Sequence, residues 1–401
     1  MASDLELHQL LDRSLPVAPL GLIVLPSAQK LGEEVNAYIS RFRDDDLNKI
    51  MKSTSPAFEN YYMSDYRIKI DLERYDTGEG RAVIEDTCRG KDLYILCDVT
   101  NHSITYQMNG FINHMSPDDH FQDLKRIISA AAGKARRINV IMPFLYESRV
   151  ETRKGRQSLD CAMALHELCD MGVDNIITFD AHDPRVMNAI PLNGFETVQP
   201  TYQFIKALLE TEPDLMVDSD HMMIISPDAH GMKRAIYYAN LLGIELGMFY
   251  KRRDYTRSVN GRNPIVAHEF LGTDVAGKTC IVIDDMISSG ESCQDVAREL
   301  KRMKAARVII CATFGFFTNG LGRFDRYYEN GLIDRILTTN LVYQTPELLS
   351  RPYYTSVDMS KYIALIIDNL NHDTSISDLL NPSERISRAV KRHMDAINAR
   401  S

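Results

Sequence analysis

Short apolar runs alternate with longer stretches of helical spacing along most of this chain, and that alternation narrows its possible folds more than any other feature. The runs lie at residues 21–25 (GLIVL), 93–97 (LYILC), 139–142 (NVIM), 175–179 (NIITF), 222–225 (MMII), 247–250 (GMFY), 280–283 (CIVI), 308–313 (VIICAT) and 335–338 (RILT). They are short, rich in β-branched residues and apolar on both parities, as strands covered on both faces must be. Between them, residues 159–171, 231–242 and 292–305 carry helical patterns. Strand, helix and strand in repetition predict an α/β fold with parallel sheets. The strands exceed one comfortable domain, so two are expected. An N-terminal α/β domain covers 1–200, with a polar, irregular insertion at about 43–71. A C-terminal α/β domain covers 201–380, the break falling after the Pro/Asn/Gly-rich residues 191–200. In the tail, 381–401, Ile386, Ala389, Val390, Met394 and Ile397 share one helical face, and basic residues lie elsewhere. That amphipathic helix is expected to dock on its own protein or on a partner subunit.

Composition excludes several classes of function. With 44% hydrophobic and 25% charged residues the chain is globular rather than disordered. A net charge of −9 argues against a general nucleic-acid or anionic-membrane binder. No run approaches the roughly 18 apolar residues of a membrane helix. The start, MASDLELHQL, lacks the basic and apolar regions of a secretory signal. The 7 cysteines are odd in number, scattered and without a C-x-x-C, which reads as reduced thiols in a cytoplasmic protein.

In open α/β sheets ligands collect beyond the C-terminal ends of the strands. The richest such place follows CIVI, where Asp284 and Asp285 precede Ser288, Ser289, Gly290 and Ser292, with a helix expected to open at about Cys293. Backbone N–H groups at a helix start, with hydroxyls beside them, cradle a phosphate. Glycine permits close approach, and the two carboxylates can accept from sugar hydroxyls. Together these suit ribose 5-phosphate. For a generic strand-to-helix loop, a serine cap and a solvated acidic pair would be the plainer reading. Here, however, the loop closely resembles the phosphoribosyl pyrophosphate (PRPP) loop of type I phosphoribosyltransferases and PRPP synthetases. It ends in Ser292 where that family usually has Thr. Glu291 stands before it, and a carboxylate beside a phosphate site must point away.

Further segments resemble the PRPP synthetase (ribose-phosphate pyrophosphokinase) family, from about residue 20 to residue 380. Residues 75–79 (YDTGE), with RGKDLYI ten residues later, resemble its adenine-binding F-S-D-G-E element. By that resemblance Tyr75 stacks on adenine, and Thr77 and Glu79 line the ATP site. Alone, YDTGE would read as a turn. Residues 147–156 pack Arg149, Arg153, Lys154 and Arg156 into one loop, suited to a triphosphate. Arg149 takes the place of the first arginine of the family's Y-A-R-Q-D-R-K loop with a one-residue slip. His182, in FDAHD, resembles the family's D-L-H histidine, which helps bind the Mg²⁺ of ATP, with Asp180 as its support. A lone histidine is otherwise more often structural. Residues 226–231 (SPDAHG) resemble the S-P-D-x-G-G pyrophosphate loop, with Asp228 at the metal-linked position and His230 replacing a glycine. Lys251 and Arg253 match the K-x-R at the root of the family's catalytic flexible loop, and the polar residues after them suit a flap.

The resemblance implies two type I phosphoribosyltransferase-like domains, Mg²⁺ as cofactor, ATP and ribose 5-phosphate as substrates, and homo-oligomers, commonly hexamers built from dimers. The implied reaction is ATP + ribose 5-phosphate → PRPP + AMP, with Lys251 and Arg253 stabilising the transferred group, His182 and Asp228 near the metal, and Asp284 to Ser292 holding the sugar phosphate. No side-chain general base is compelled. Two other readings stay open: a phosphoribosyltransferase, which leaves 75–79 and the Lys251/Arg253 pair unexplained, and a non-catalytic regulatory homologue, motivated by the departures at 148–153, Thr77 and His230.

Overall fold

The computed structural model describes residues 16–50, 61–153, 155–253 and 265–400. By contact the chain divides into two compact units. The first comprises Met1–Gln199, Asn340–Tyr343 and Met359–Asn381, and the second Pro200–Thr339, Gln344–Asp358 and Pro382–Ser401.

The first unit is built on β1 (Leu20–Val24), α1 (Gln29–Ile50), β2 (Ile70–Arg74), β3 (Gly80–Ile84), β4 (Asp92–Leu96), β5 (Thr105–Met108), β6 (Phe111–His114), α2 (Pro117–Ala131), β7 (Arg137–Ile141), α3 (Asp160–Asp170), β8 (Asn175–Phe179) and β9 (Gly194–Val198). Its sheet has five strands in the order β1-β4-β7-β8-β9, every pair parallel. β1 and β4 are buried along their whole length, so their apolar runs face helices on both sides. α2 starts where Ser116 and Asp119 form a reciprocal capping box with Pro117 in the first turn. Two antiparallel hairpins, β2-β3 and β5-β6, stand outside this sheet.

The second unit contains α4 (Thr201–Thr211), β10 (Met222–Ser226), α5 (Met232–Leu242), β11 (Leu246–Arg253), β12 (Ile265–Leu271), β13 (Thr279–Ile287), α6 (Glu291–Arg302), β14 (Arg307–Gly315), α7 (Gly322–Glu329), β15 (Arg335–Thr339), α8 (Pro346–Leu349) and β16 (Tyr354–Val357). Its seven strands run β12-β11-β10-β13-β14-β15-β16. All neighbours are parallel except β11 and β12. Both units therefore have the expected α/β architecture with parallel sheets.

The chain returns to the first unit with α9 (Ser360–Asn371) and α10 (Ser377–Leu380), then ends on the second with α11 (Ser383–Asn398). Part of the stretch expected as a 201–380 domain thus groups otherwise, and the reason is a buried polar lock. Arg43, 1% exposed on α1, donates from Nε to Asp368 Oδ1 at 3.1 Å and from Nη2 to Asn371 Oδ1 at 2.6 Å. Asn371 Nδ2 in turn donates to Asp92 Oδ2 at 2.9 Å, and Arg137 Nε to Asp92 Oδ1 at 2.8 Å. Charges buried this deeply persist only when paired, so these bonds commit α9 to α1 and the start of β4. Residues 43–50, read from sequence as irregular, continue the α1 helix; residues 51–60 of the expected insertion lie outside the described residues. The tail folds as α11, with Ile386 buried in the second unit's core beside Phe204 and Leu208.

The strands missed from sequence are β2, β3, β5, β6, β9, β12 and β16. β2 and β3 alternate half-buried and exposed residues, and so present no continuous apolar run. The 7 cysteines are free thiols, six buried and Cys169 partly so. Among the described residues no helix is long and apolar enough to cross a membrane.

Candidate active site

In the second unit β11, β10 and β13 are consecutive parallel strands. Their C-terminal ends therefore lie on one edge of the sheet, where open α/β sheets hold ligands. Three of the expected elements occupy that edge: Lys251 and Arg253 at the end of β11, the Asp228 loop after β10, and Asp284 to Ser292 at the end of β13. The backbones of Lys251 and Arg253 pair with His268 and Ile265 of β12. The flap expected after them falls largely on 254–264, outside the described residues.

β13 continues through both carboxylates to Ile287, so Asp284 and Asp285 lie inside the strand rather than after it. Asp285 N donates to Asp284 Oδ1 at 2.9 Å, and Asp285 is 6% exposed. Burial first, and then the neighbouring Asp285 charge, hold the Asp284 carboxyl well above the usual carboxylate range, against the opposing pull of Arg234 on α5. Such a pair is poised to accept hydrogen bonds from hydroxyls, or a cation, that would replace the lost water.

The helix after the loop opens at Glu291, two residues earlier than expected from sequence, and its N-cap is Gly290 at φ 80° with no side-chain cap. The left-handed backbone favours glycine, and the Phe324 ring fills the space a Cβ would need. Gly290 is thus required by packing as well as by any close approach to a ligand. Thr318 N donates to Ser288 O at 3.0 Å, and Glu291 N lies 3.5 Å from Ser289 Oγ. Ser288, Ser289 and Ser292 are half-buried around the turn. The Glu291 side chain is 65% exposed and pairs with Arg323 at 3.5 Å, which answers the concern over a carboxylate beside a phosphate site. Neither Arg323 nor Phe324 was legible as a site residue, because each lies some 30 residues along and meets the loop through α7 alone.

After β10, buried Ser226 donates to Asp228 O at 2.7 Å. Asp228 Oδ1 accepts from His230 N at 2.8 Å and Gly231 N at 3.2 Å. This shapes the loop without a positive φ at His230, whose ring is 86% exposed, so the histidine replaces the family's glycine without backbone strain. Asp228 Oδ2 makes no hydrogen bond among the described residues. The described residues contain no group of three or more His, Cys, Asp or Glu side chains able to hold a metal. Mg²⁺ needs none, since it keeps several waters and takes one or two carboxylates with substrate phosphates. Asp228 fits that description.

In the first unit β7 and β8 are parallel neighbours, so the loops that follow them, which carry Arg149 and His182, leave from one sheet edge. Arg149 is exposed and His182 half-buried. Asp180, 2% exposed, takes φ 40°, and Glu147 takes φ 56°. Left-handed backbone costs free energy at residues other than glycine, so the surrounding structure must hold both in place. Glu147, which the sequence did not single out, has its carboxyl pushed up by burial and then by Asp118 and Asp160. Ser148 Oγ beside it is buried with no hydrogen-bond partner. Lys154 lies outside the described residues.

Tyr75, Thr77 and Glu79 are not on that sheet. They form the exposed turn of the β2-β3 hairpin, with Tyr75 N donating to Glu79 O at 2.8 Å and Thr77 Oγ1 to Glu79 Oε2 at 3.1 Å. The turn that the residues alone suggest is therefore present, and it leaves the Tyr75 ring 44% exposed.

Comparison with known proteins bears on both units. Residues 21–172 match the family described as the N-terminal domain of ribose phosphate pyrophosphokinase, and residues 202–342 match the phosphoribosyl transferase domain. Ribose-phosphate pyrophosphokinase 3 of Saccharomyces cerevisiae is 28% identical over 312 residues, covering 77% of this chain and 88% of its own. The ribose-phosphate pyrophosphokinase of Vibrio parahaemolyticus is 26% identical over 318 residues, covering 77% and 90%. The crystal structure of phosphoribosylpyrophosphate synthetase from Mycobacterium smegmatis superposes with a TM-score of 0.68 at 20% identity, covering 88% of this chain and 99% of that one. With two domain matches in family order and relatives spanning both, the chain belongs to the ribose-phosphate pyrophosphokinase (PRPP synthetase) family.

Proposed function

We propose that this protein is a ribose-phosphate diphosphokinase, which transfers the β,γ-diphosphoryl group of ATP to the anomeric hydroxyl of ribose 5-phosphate and yields PRPP and AMP for nucleotide biosynthesis. The observation that carries the reading is the placement of Lys251/Arg253, Asp228 and Asp284–Ser292 at the ends of three consecutive strands. A phosphoribosyltransferase would need the second unit alone, and the match of residues 21–172 to the pyrophosphokinase N-terminal domain goes against it.

In the reaction the anomeric oxygen forms a bond to the β-phosphorus as the bond from that phosphorus to the α-phosphate's bridging oxygen breaks. AMP leaves with the electron pair, and the hydroxyl proton passes to solvent or phosphate oxygen. Charge spreads over the moving group, so the protein's work is positioning and charge stabilisation. We assign Asp284 and Asp285 to the ribose diol, and Ser288, Ser289, Gly290 and Ser292 to its 5-phosphate. Lys251 and Arg253 stabilise the transferred group. Arg149 and His182 bind the triphosphate, and Tyr75, Thr77 and Glu79 the adenine side of ATP. His182 in the first unit and Asp228 in the second are each assigned to Mg²⁺ binding, and the ion would supply charge neutralisation to phosphate oxygens.

We further propose a homo-oligomer built from dimers, such as a hexamer. Its support is the exposed hairpin turn, where one chain alone leaves the Tyr75 ring open. A cytoplasmic location suits 7 free thiols. The direct test incubates the protein with ATP, Mg²⁺ and ribose 5-phosphate, without any nucleobase, and measures AMP. AMP release that depends on both substrates supports the reading. No turnover, with binding to an active paralogue instead, would establish a regulatory homologue.

A further inference from the structure

α11 lies beyond residue 342, where the second matched domain ends. One face of it is fastened to the second unit: Ile386 is fully buried, Ala389 and Val390 pack beside it, and a His393 ring nitrogen lies 2.8 Å from Leu215 O. The face beside this anchor carries Arg385, Arg388, Lys391 and Arg392. With Tyr202 of α4 and Asp395 they line a groove of about 490 Å³. Arg385 holds its guanidinium 5.1 Å from the centre of the Tyr202 ring, which makes a firm wall.

Spacings of three and four place these cations side by side on the helix, where like charges repel. Among the described residues Arg388 and Arg392 donate only to carbonyls of their own helix, Glu384 O and Arg388 O. Among the described residues no carboxylate pairs with Arg388, Lys391 or Arg392. A concentration of positive charge on a chain of net charge −9 is not a by-product of composition.

We propose that this groove binds a small soluble polyphosphate anion, which it recognises by charge and not by a base or sugar. Its volume is that of a small-molecule site. Guanidinium groups match phosphate oxygens in fork geometry. The Tyr202 face is already taken by Arg385, and the lining offers no amide to read a base edge. It also holds no aliphatic side chain to enter a bilayer, which favours a free anion over a phosphorylated lipid headgroup. This inference stands apart from the assigned reaction, because it is read by binding alone.

The test titrates inorganic tripolyphosphate into the full chain by calorimetry, with ATP as a competing probe. The R388Q/K391Q/R392Q variant is expected to bind tripolyphosphate at the groove about tenfold more weakly than the wild-type chain. Glutamine keeps helix propensity, and an unchanged thermal midpoint verifies that α11 is intact. ATP and tripolyphosphate are expected to displace each other at the groove. The D395N variant, which removes the one carboxylate, is expected to bind tripolyphosphate about twofold to fivefold tighter. Identical stoichiometry and affinity in wild type and triple variant would overturn the proposal. So would an unchanged D395N affinity, or a preference for vesicles bearing a bisphosphorylated headgroup over tripolyphosphate.

Discussion

The Phe324 ring stands in the space that a side chain on Gly290 would need, so an aromatic residue is pressed against the loop after β13. Phe324 is 1% exposed and packs edge-on against Phe317 with ring centres 5.1 Å apart, so it has little room to retreat. Gly290→Ala therefore meets both a left-handed backbone and a fixed ring. The substitution is expected to destabilise the second unit by about 1–3 kcal/mol and to raise the KM for ribose 5-phosphate. Urea denaturation and initial rates measure the two effects, and G290A/F324L should recover part of the stability but not the backbone cost.

Asp284 predicts a conflict between stability and activity. Its folded carboxyl titrates above its unfolded value, chiefly through burial. A raised carboxyl favours folding below the unfolded pKa of about 3.9, and that contribution is lost as pH rises through the folded value. Asp284→Asn removes the loss. The variant is expected to gain stability relative to wild type as pH increases toward neutrality, while PRPP synthesis falls on the order of 10²-fold or more. Urea midpoints over a pH series, with AMP release at each pH, follow both trends.

Lys251→Ala and Arg253→Ala are expected to lower kcat by about 10²–10⁵, with small changes in the KM for ribose 5-phosphate. A loss confined to KM would instead mark these residues as ground-state binders.

The Glu291–Arg323 pair is exposed, and its effect should be small and salt-dependent. Arg323→Ala is expected to weaken ribose 5-phosphate binding by less than about fivefold, because it leaves an uncompensated carboxylate beside the phosphate loop. Glu291→Gln in the same background should restore binding, and the difference should shrink in high salt.

Arg43→Ala tests the lock on α9. The buried guanidinium holds Asp368 and Asn371 and lies 4.6 Å from the Tyr61 ring centre. Its removal is expected to destabilise the first unit by about 3–5 kcal/mol, read by denaturant midpoint, with hydrogen exchange accelerated in α9.

Strands such as 93–97 and 175–179 were legible because a parallel strand covered on both faces must be apolar at every position. The β2-β3 hairpin was not, since its alternating, half-exposed residues resemble any polar segment. The same contrast holds at the site. The run from Asp284 to Ser292 puts carboxylates, hydroxyls and a glycine within nine residues, and local chemistry suffices to read it. Arg323, Phe324 and the orphaned Ser148 hydroxyl gain their meaning from neighbours distant along the chain.

What the amino-acid order specified was therefore whatever depends on neighbours in the chain: the α/β class, the strand ends that carry polar loops, and the chemistry of each loop taken singly. Folding settled which loops share an edge, by placing β11, β10 and β13 side by side. It also turned Glu291 toward Arg323 and drew α9 back onto α1. Hydrophobic periodicity is written locally, whereas strand order, burial of a carboxylate and the partner of a charge arise from contacts between residues far apart in sequence.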